Sequence, residues 1–384
     1  MTSKVYFANI RTRKHSDSKI AKIARLCEAV GLSDIVHKDD LTAIKLHFGE
    51  YGNDTYLNPT FARAVVDKVM AAGGKPFLTD TTTLYSGSRS NALDHLLTAY
   101  AHGFSFATVN APIIIADGLC GLNDELVDVN LKHFKQVHIA TEIRRAPSMV
   151  VLSHFKGHEM AGFGGAIKNL AMGCASVEGK RDQHATKVLT QSKLCIGCGQ
   201  CEKICPQHAI TLGEDKKAHI DTAKCIGCFE CITVCQPKAI AIDWATALPA
   251  FVERLTEYAY GAVQDKRVCY LNFVLNVTPD CDCAAWSDAP LVPDIGLLAS
   301  LDPVALDKAC YDLVTAAQSL TCPEHTPGHT GHGAGLDTGP TPCTSNGVGE
   351  DKFTARWKNT VGLMQVTYGE SIGLGSSHYE LIHV

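Results

Sequence analysis

A chain of 384 residues is long enough for two or three domains and a sizeable core. Hydrophobic residues make up 46% and charged residues 20%, and the formal net charge of −5 argues against nucleic acid as a main partner. No stretch approaches about eighteen apolar residues, and the first residues hold no apolar core of signal-peptide length. The expectation is therefore no membrane span and a cytoplasmic location.

Up to residue 150, short apolar runs alternate with helical patterns. VYFANI (5–10) predicts a strand, SKIAKIARLCEAVG (18–31) a helix, LTAIKLHF (41–48) a strand and PTFARAVVDKVMAAGG (59–74) a helix. KPFLTD (75–80), NALDHLLTAYAHG (91–103) and PIIIAD (112–117) continue the alternation, and MVVLS (149–153) is a further buried strand. Such βαβα order predicts an α/β core around a mostly parallel sheet.

The stretch HFKGHEMAGFGGAIKN (154–169) follows that last strand. Ligands of parallel α/β sheets bind beyond the carboxyl ends of strands, so His154, Lys156 and His158 are expected there as candidate catalytic groups. Gly162, Gly164 and Gly165 would let backbone pack closely or approach a ligand. AIKNLAMG (166–173) predicts a short helix whose free N–H groups could hold an anion, with Lys168 adding charge. The P-loop pattern is absent. Close packing alone is the competing explanation for the glycines.

Near residue 190 the pattern changes. Cys195, Cys198, Cys201 and Cys205 follow C-x2-C-x2-C-x3-C-P, and Cys225, Cys228, Cys231 and Cys235 repeat the spacing thirty residues later. Three cysteines two residues apart can wrap one corner of a cubane, while the fourth points toward the other cluster. Cys195, Cys198, Cys201 and Cys235 are therefore expected to hold one [4Fe–4S] centre, and Cys225, Cys228, Cys231 and Cys205 the other. Zinc or reduced structural thiols compete with this reading. The 17 cysteines, an odd number, fit poorly with complete disulfide pairing.

After the block, LPAFVERLTEYAYGAV (248–263) predicts a helix and RVCYLNFVLNV (267–277) a strand. The expected organisation is 1–190 as the first part of an α/β domain, 191–243 as an insert, and 244–384 as the second part; two α/β lobes joined through the block are the alternative. Cys281 and Cys283 flank one residue and could chelate a soft metal, nickel or zinc, or form a redox pair, with Cys174 as a further donor. Asp302 before Pro303 predicts a capped helix start. Residues 319–350, rich in Gly, Pro, Thr and His, predict a loop, a mobile lid or disordered insert, with metal binding by His325, His329 and His332 as the lesser alternative. Lys45, His47, Glu50, Asp80, Thr81 and Tyr85 follow other predicted strands and are plausible substrate contacts.

The cysteine block resembles bacterial two-cluster ferredoxins over about fifty residues, which implies an α+β ferredoxin-like βαββαβ mini-domain and single-electron transfer. HFKGHEMAGFGGAIKNLAMGCASVEGK (154–180), CDCAAWSDAPLVPDIGLLASLDPVALDKACYDLV (281–314) and IGLGSSHYELI (372–382) resemble a bacterial and archaeal family described as domain of unknown function 362, in which no reaction is established. A second resemblance is to the lactate racemase family, through His158, the Ala-Gly-Phe at 161–163, Gly164-Gly165, Lys168 and His184. That resemblance implies histidines as nickel ligands and Lys168 as anchor of a nucleotide-type pincer cofactor; Gly162, Gly164, Gly165, Lys168 and Asn169 are the candidate cofactor-binding residues. The Gly-Thr-His-Arg segment of that family is absent, which argues against racemisation.

Taken together, these features predict an iron–sulfur oxidoreductase. An electron donor or acceptor protein serves two [4Fe–4S] clusters. A small polar or anionic substrate meets His154, Lys156, His158, Lys168 and His184. The alternatives are an electron carrier without its own catalytic site and a nickel-pincer enzyme.

Overall fold

The computed structural model describes residues 2–85, 87–184, 188–222, 224–225, 230–242, 244–320 and 347–384. Cys228 and most of the 319–350 loop, with His325, His329 and His332, lie outside the described residues.

An eight-stranded sheet runs in the order Tyr379–His383, Ser3–Asn9, Gly296–Ser300, Arg267–Val274, Ser148–His154, Leu41–Lys45, Lys75–Asp80, Ile113–Ile115. Gly296–Ser300 is antiparallel to both neighbours, and all other pairings are parallel. The sheet is thus mostly parallel. Ser148–His154 is buried throughout. Met149 and Val151 enter one core, and Val150 and Leu152 the other. Arg267–Val274 repeats this, with Val268 and Tyr270 on one side and Cys269, Leu271 and Phe273 on the other. Period-two alternation of apolar residues on both faces requires cover on both faces.

Helices supply that cover. Lys19–Ala29 and Pro59–Ala71 bury Ile23, Leu26, Val65 and Val69 on one face. Ala166–Cys174, Trp244–Ala262 and Pro303–Ala316 bury Ile167, Leu170, Leu255 and Ala309 on the other. Each fully buried aliphatic side chain of Val or Leu size contributes about 1.5–3 kcal/mol. Pro303 opens its helix at N1, and the Asp302 carboxylate accepts from the Val304 and Ala305 amides at 2.9 and 3.0 Å.

Chain from both sides of the cysteine block builds this one sheet. Arg267–Val274 pairs directly with Ser148–His154, Arg267 opposite Ser148 and Phe273 opposite His154. The two α/β portions therefore share a sheet rather than forming separate lobes. Two elements differ from expectation. Trp244–Ala262 begins a turn before residue 248 and carries Pro249 inside it. A hairpin of Asp124–Asp128 and Gln136–Ala140 occupies a stretch where no element was expected. Among the described residues, no helix is long and apolar enough to cross a membrane.

Candidate functional site

Beyond His154 the chain makes a short hairpin, not a loop. Lys156–His158 pairs antiparallel with Gly162–Gly164, His158 opposite Gly162 and Lys156 opposite Gly164. Residues two apart on a strand share a face, so Lys156 and His158 lie together. Gly162 has φ +76°, and a Cβ there would sit 2.7 Å from the Gly362 backbone. At Gly164 a Cβ would come within 3.1 Å of the Lys168 side chain and 3.7 Å of Lys156, so this glycine makes room for two lysines to converge.

Both ring nitrogens of His154, expected as a catalytic group, have protein partners. Its Nδ1 lies 2.9 Å from both Asp282 oxygens, and its Nε2 lies 2.8 Å from the Leu275 carbonyl. Both nitrogens face oxygen acceptors, so the ring is spent on holding the 275–282 segment. Lys156 joins it, with Nζ 3.3 Å from Asp282 and 3.1 Å from the His154 carbonyl. Burial would raise the Asp282 carboxyl, but the His154 and Lys156 charges and the His154 hydrogen bond hold it well below the usual range.

Asp282 is the residue between Cys281 and Cys283. A turn closed by the Ala284 amide on the Cys281 carbonyl, 2.9 Å, brings the two thiols together. A ring nitrogen of His158 and both sulfurs lie within 4.8 Å of one another, and these donors could hold a metal ion. Lys168 Nζ lies 3.3 Å from Cys281 Sγ. A hydrogen bond from Cys283 lowers Cys281 well below the usual thiol value; burial opposes this, and Lys168 and Lys156 reinforce it. The bond raises Cys283 in turn. Against the cost of burial, the two sulfurs raise Lys168 above the usual lysine value. Burial, followed by Lys168, holds His158 neutral, and its Nδ1 accepts from the Met160 and Ala161 amides at 3.1 and 3.0 Å.

Two expected members stand apart from this group. Cys174 ends its helix fully buried on the side of Lys45 and Asp80, and burial pushes its thiol up to about 11. His184 packs its ring 5.2 Å from Phe251, and burial, with Lys168, pushes it down to about 3. Among the described residues, neither belongs to the three-donor group.

The anion expected at the start of Ala166–Cys174 is supplied by the protein itself. Asp307 accepts from the Ala166 and Ile167 amides at 2.7 and 2.9 Å, and from Asn272 at 2.7 Å. A Cβ on Gly165 would fall 2.2 Å from that carboxylate, so this glycine is required for the internal cap. Asn169 is likewise committed, donating to the Leu152 carbonyl and Ser153 and accepting from Lys45 at 2.6 Å. Gly162, Gly165 and Asn169, expected to line a cofactor site, are engaged in close packing and internal hydrogen bonds in the structure.

Burial raises Asp307 to about 6 from 3.8. The folded chain then binds a proton between about pH 4 and 6 that the unfolded chain releases, so this group stabilises below that window and loses its contribution as pH rises through it. In urea denaturation, the stability of wild type relative to Asp307→Asn should fall by about 3 kcal/mol from the acid end of that window to its upper end.

The other strand ends are sealed, not open. Lys45 Nζ lies 3.0 Å from Asp80, and Arg89 binds Glu50 at 3.0 Å and the Tyr85 hydroxyl at 2.5 Å. Arg89 also lies 3.1 Å from His47, and Thr81 accepts from Lys180 at 2.6 Å. Lys45, Glu50, Asp80, Thr81 and Arg89 are all buried. These residues brace the thiol turn: the Glu50 amide donates to the Asp282 carbonyl at 2.9 Å and Tyr85 to the Cys283 carbonyl at 3.1 Å. Arg89 and Asp282 were not among the expected site residues: Asp282 sits inside the Cys281–Cys283 pattern, but its partners His154 and Lys156 lie more than a hundred positions away.

The cysteine block runs β, α, β, β, α, β: Val188–Thr190, Gln200–Ile204, Ile210–Leu212, Ala218–Ile220, Glu230–Thr233 and Ile240–Ile242. Cys195, Cys198, Cys201 and Cys235 line one cavity, closed by Leu212, Ala218, Val234 and Ile240. Backbone amides point at the sulfurs. Ala218 donates to Cys195 at 3.4 Å, Ala209 to Cys205 at 3.3 Å and Ala239 to Cys235 at 3.1 Å. The last two bonds repeat across the duplicated halves. Four thiols in an apolar wall with N–H donors to sulfur suit an iron–sulfur cluster. Cys205, Cys225 and Cys231 pack into the same small core.

A family model described as "Domain of unknown function (DUF362)" matches residues 42–312. Among curated proteins, none matches the chain. Two solved structures are similar. The lactate racemase apoprotein from Thermoanaerobacterium thermosaccharolyticum is 15% identical, with a TM-score of 0.39 over 72% of this chain and 51% of its own. A structural-genomics protein from Thermotoga maritima is 11% identical, with a TM-score of 0.39 over 79% of this chain and 59% of its own. This chain therefore spans between half and three fifths of the length of either.

Proposed function

The chain belongs to the DUF362 family, and we propose that it is an iron–sulfur oxidoreductase whose ferredoxin-like insert, residues 191–243, delivers electrons to the thiol site at the strand ends. The observation that carries this reading is the company Cys235 keeps. It comes from the second cysteine motif, yet it lines the cavity of Cys195, Cys198 and Cys201. Such a crossover is what two interleaved clusters require and what two independent zinc knuckles do not.

Two [4Fe–4S] centres, when bound, exchange single electrons. Cys195, Cys198, Cys201 and Cys235 would hold one, and Cys225, Cys228, Cys231 and Cys205 the other. The stems of the insert support delivery to the α/β body. Val188 pairs with Ile242, so the two stems lie side by side. Val188 follows His184 by four residues, a reach of at most about 14 Å. The outgoing helix, Trp244–Ala262, packs on Ala166–Cys174, the helix that carries Lys168. In the thiol site, Lys168 would hold negative charge on sulfur or substrate, and Asp282 with His154 and Lys156 would fix the turn.

Metal and sulfide analysis of anaerobically purified protein tests the reading. About eight irons and eight acid-labile sulfides per chain are expected, with the reduced protein giving the EPR signal of two interacting spins. Zinc in the block, or a folded chain that takes up no iron on reconstitution, would overturn it.

A further inference from the structure

We propose that Cys281 and Cys283 form a reversible disulfide that gathers two single electrons into one two-electron step. The inference rests on the iron–sulfur reading for its reductant and extends it by naming the group that receives the electrons.

Geometry carries the proposal. The two cysteines sit in one tight turn, their sulfurs within 4.8 Å of each other. A disulfide across one intervening residue is strained, and strain favours ready reduction. Cys281 is 2% exposed, while Cys283 is partly exposed, so one sulfur is shielded and the other open to an incoming group. Lys168 places its ammonium 3.3 Å from the shielded sulfur. Asp282, between them, is pinned by His154, Lys156 and the Glu50 amide. The turn is thus held rigid while its two sulfurs stay free to change.

The step balances. The Cys281–Cys283 S–S bond breaks on taking two electrons, one from each reduced iron–sulfur centre, and one proton from solvent. The products are the Cys281 thiolate, beside the Lys168 ammonium, and the Cys283 thiol. The reverse step returns two electrons and one proton to an oxidised acceptor. A thiol pair of this kind fits between carriers that move one electron and a substrate that needs two.

The same three donors suit a metal less well. The His158 Nδ1 accepts two backbone amides, which leaves the ring proton on Nε2. Coordination through Nε2 would push that proton to Nδ1, against two amide hydrogens. The Lys168 ammonium also stands where a thiolate shared with a dication would least need it.

The test uses the full chain, purified anaerobically, with iron and sulfide measured on the same sample. Protein poised in oxidised or reduced dithiothreitol is quenched in acid, alkylated and mapped by mass spectrometry. The peptide carrying Cys281 and Cys283 should lose both alkyl groups on oxidation and regain both on reduction. Titanium(III) citrate should open the bond in wild type at least tenfold faster than in Cys235→Ser, while dithiothreitol opens both alike. No disulfide under any poise, or a chelatable metal held by wild type and lost in His158→Ala, would overturn the proposal even with both clusters present. A disulfide in a chain that binds no iron would overturn the iron–sulfur reading and leave the thiol pair standing. Equal opening rates in wild type and Cys235→Ser would overturn the electron connection. The alkylation readings come from the wild-type peptide, so they stand even if a variant fails to fold.

Discussion

Replacing Cys235 with serine will remove about half the iron and sulfide, and the centre lost will be the one assembled on the first motif. The expectation follows from the cavity of Cys195, Cys198 and Cys201, whose fourth sulfur arrives from the far end of the block. Cys205→Ser should do the converse and empty the centre built on Cys225, Cys228 and Cys231. In both variants the spin coupling of the reduced protein should collapse to a single uncoupled EPR signal. The central sheet should remain folded, because its core shares no side chain with the small core of the block. Far-ultraviolet circular dichroism and the urea midpoint of the body check that point. If Cys235→Ser instead empties the second-motif centre, each motif holds its own cluster, and the crossover is wrong.

The parts legible in the sequence were those whose signal is local. Lys75–Asp80 and Ser148–His154 stand out as apolar runs between turn residues, and the cysteine spacing already groups Cys235 with Cys195, Cys198 and Cys201, the four that line one cavity. The Asp124–Asp128 and Gln136–Ala140 hairpin was invisible. Its first strand, DELVD, has acids at three of five positions, and no Asn-Gly turn announces the bend. The hairpin at Lys156–His158 and Gly162–Gly164 hid for another reason: its strands are three residues long and one is mostly glycine. The strand-end location of Lys45, His47, Glu50 and Asp80 was legible, but their sealing was not. Whether such a group meets substrate or a partner depends on residues far along the chain. His154 meets Asp282 across 128 positions, and the Ala166 amide meets Asp307 across 141. No local pattern encodes those pairs; the sheet register brings them together.

Removing the charge of Asp80 will destabilise the protein by about 3–5 kcal/mol, the cost of leaving buried cations without their anion. Asp80 is 2% exposed and lies 3.0 Å from Lys45 Nζ, 3.7 Å from Arg89 Nη1 and 3.7 Å from His95 Nε2. Burial would raise its carboxyl; Lys45, His47, His95 and Arg89 together hold it far below the usual value. A depressed carboxylate contributes stability that is full above its ordinary value of 3.8 and is lost as pH falls toward its folded value. The gap between wild type and Asp80→Asn should therefore be constant through neutral pH and narrow only in acid. Lys45→Met with Asp80→Asn should recover part of the loss, because the double change removes one stranded cation with the anion. If the double variant is as unstable as the sum of the singles, the cost is lost packing and not charge. The network also reaches the thiol turn, through Glu50 to Asp282 and through Arg89 and Tyr85 to Cys283. Asp80→Asn should consequently raise the rate at which iodoacetamide reaches Cys281 in folded protein by about tenfold, since a loosened brace exposes a sulfur that the intact turn shields.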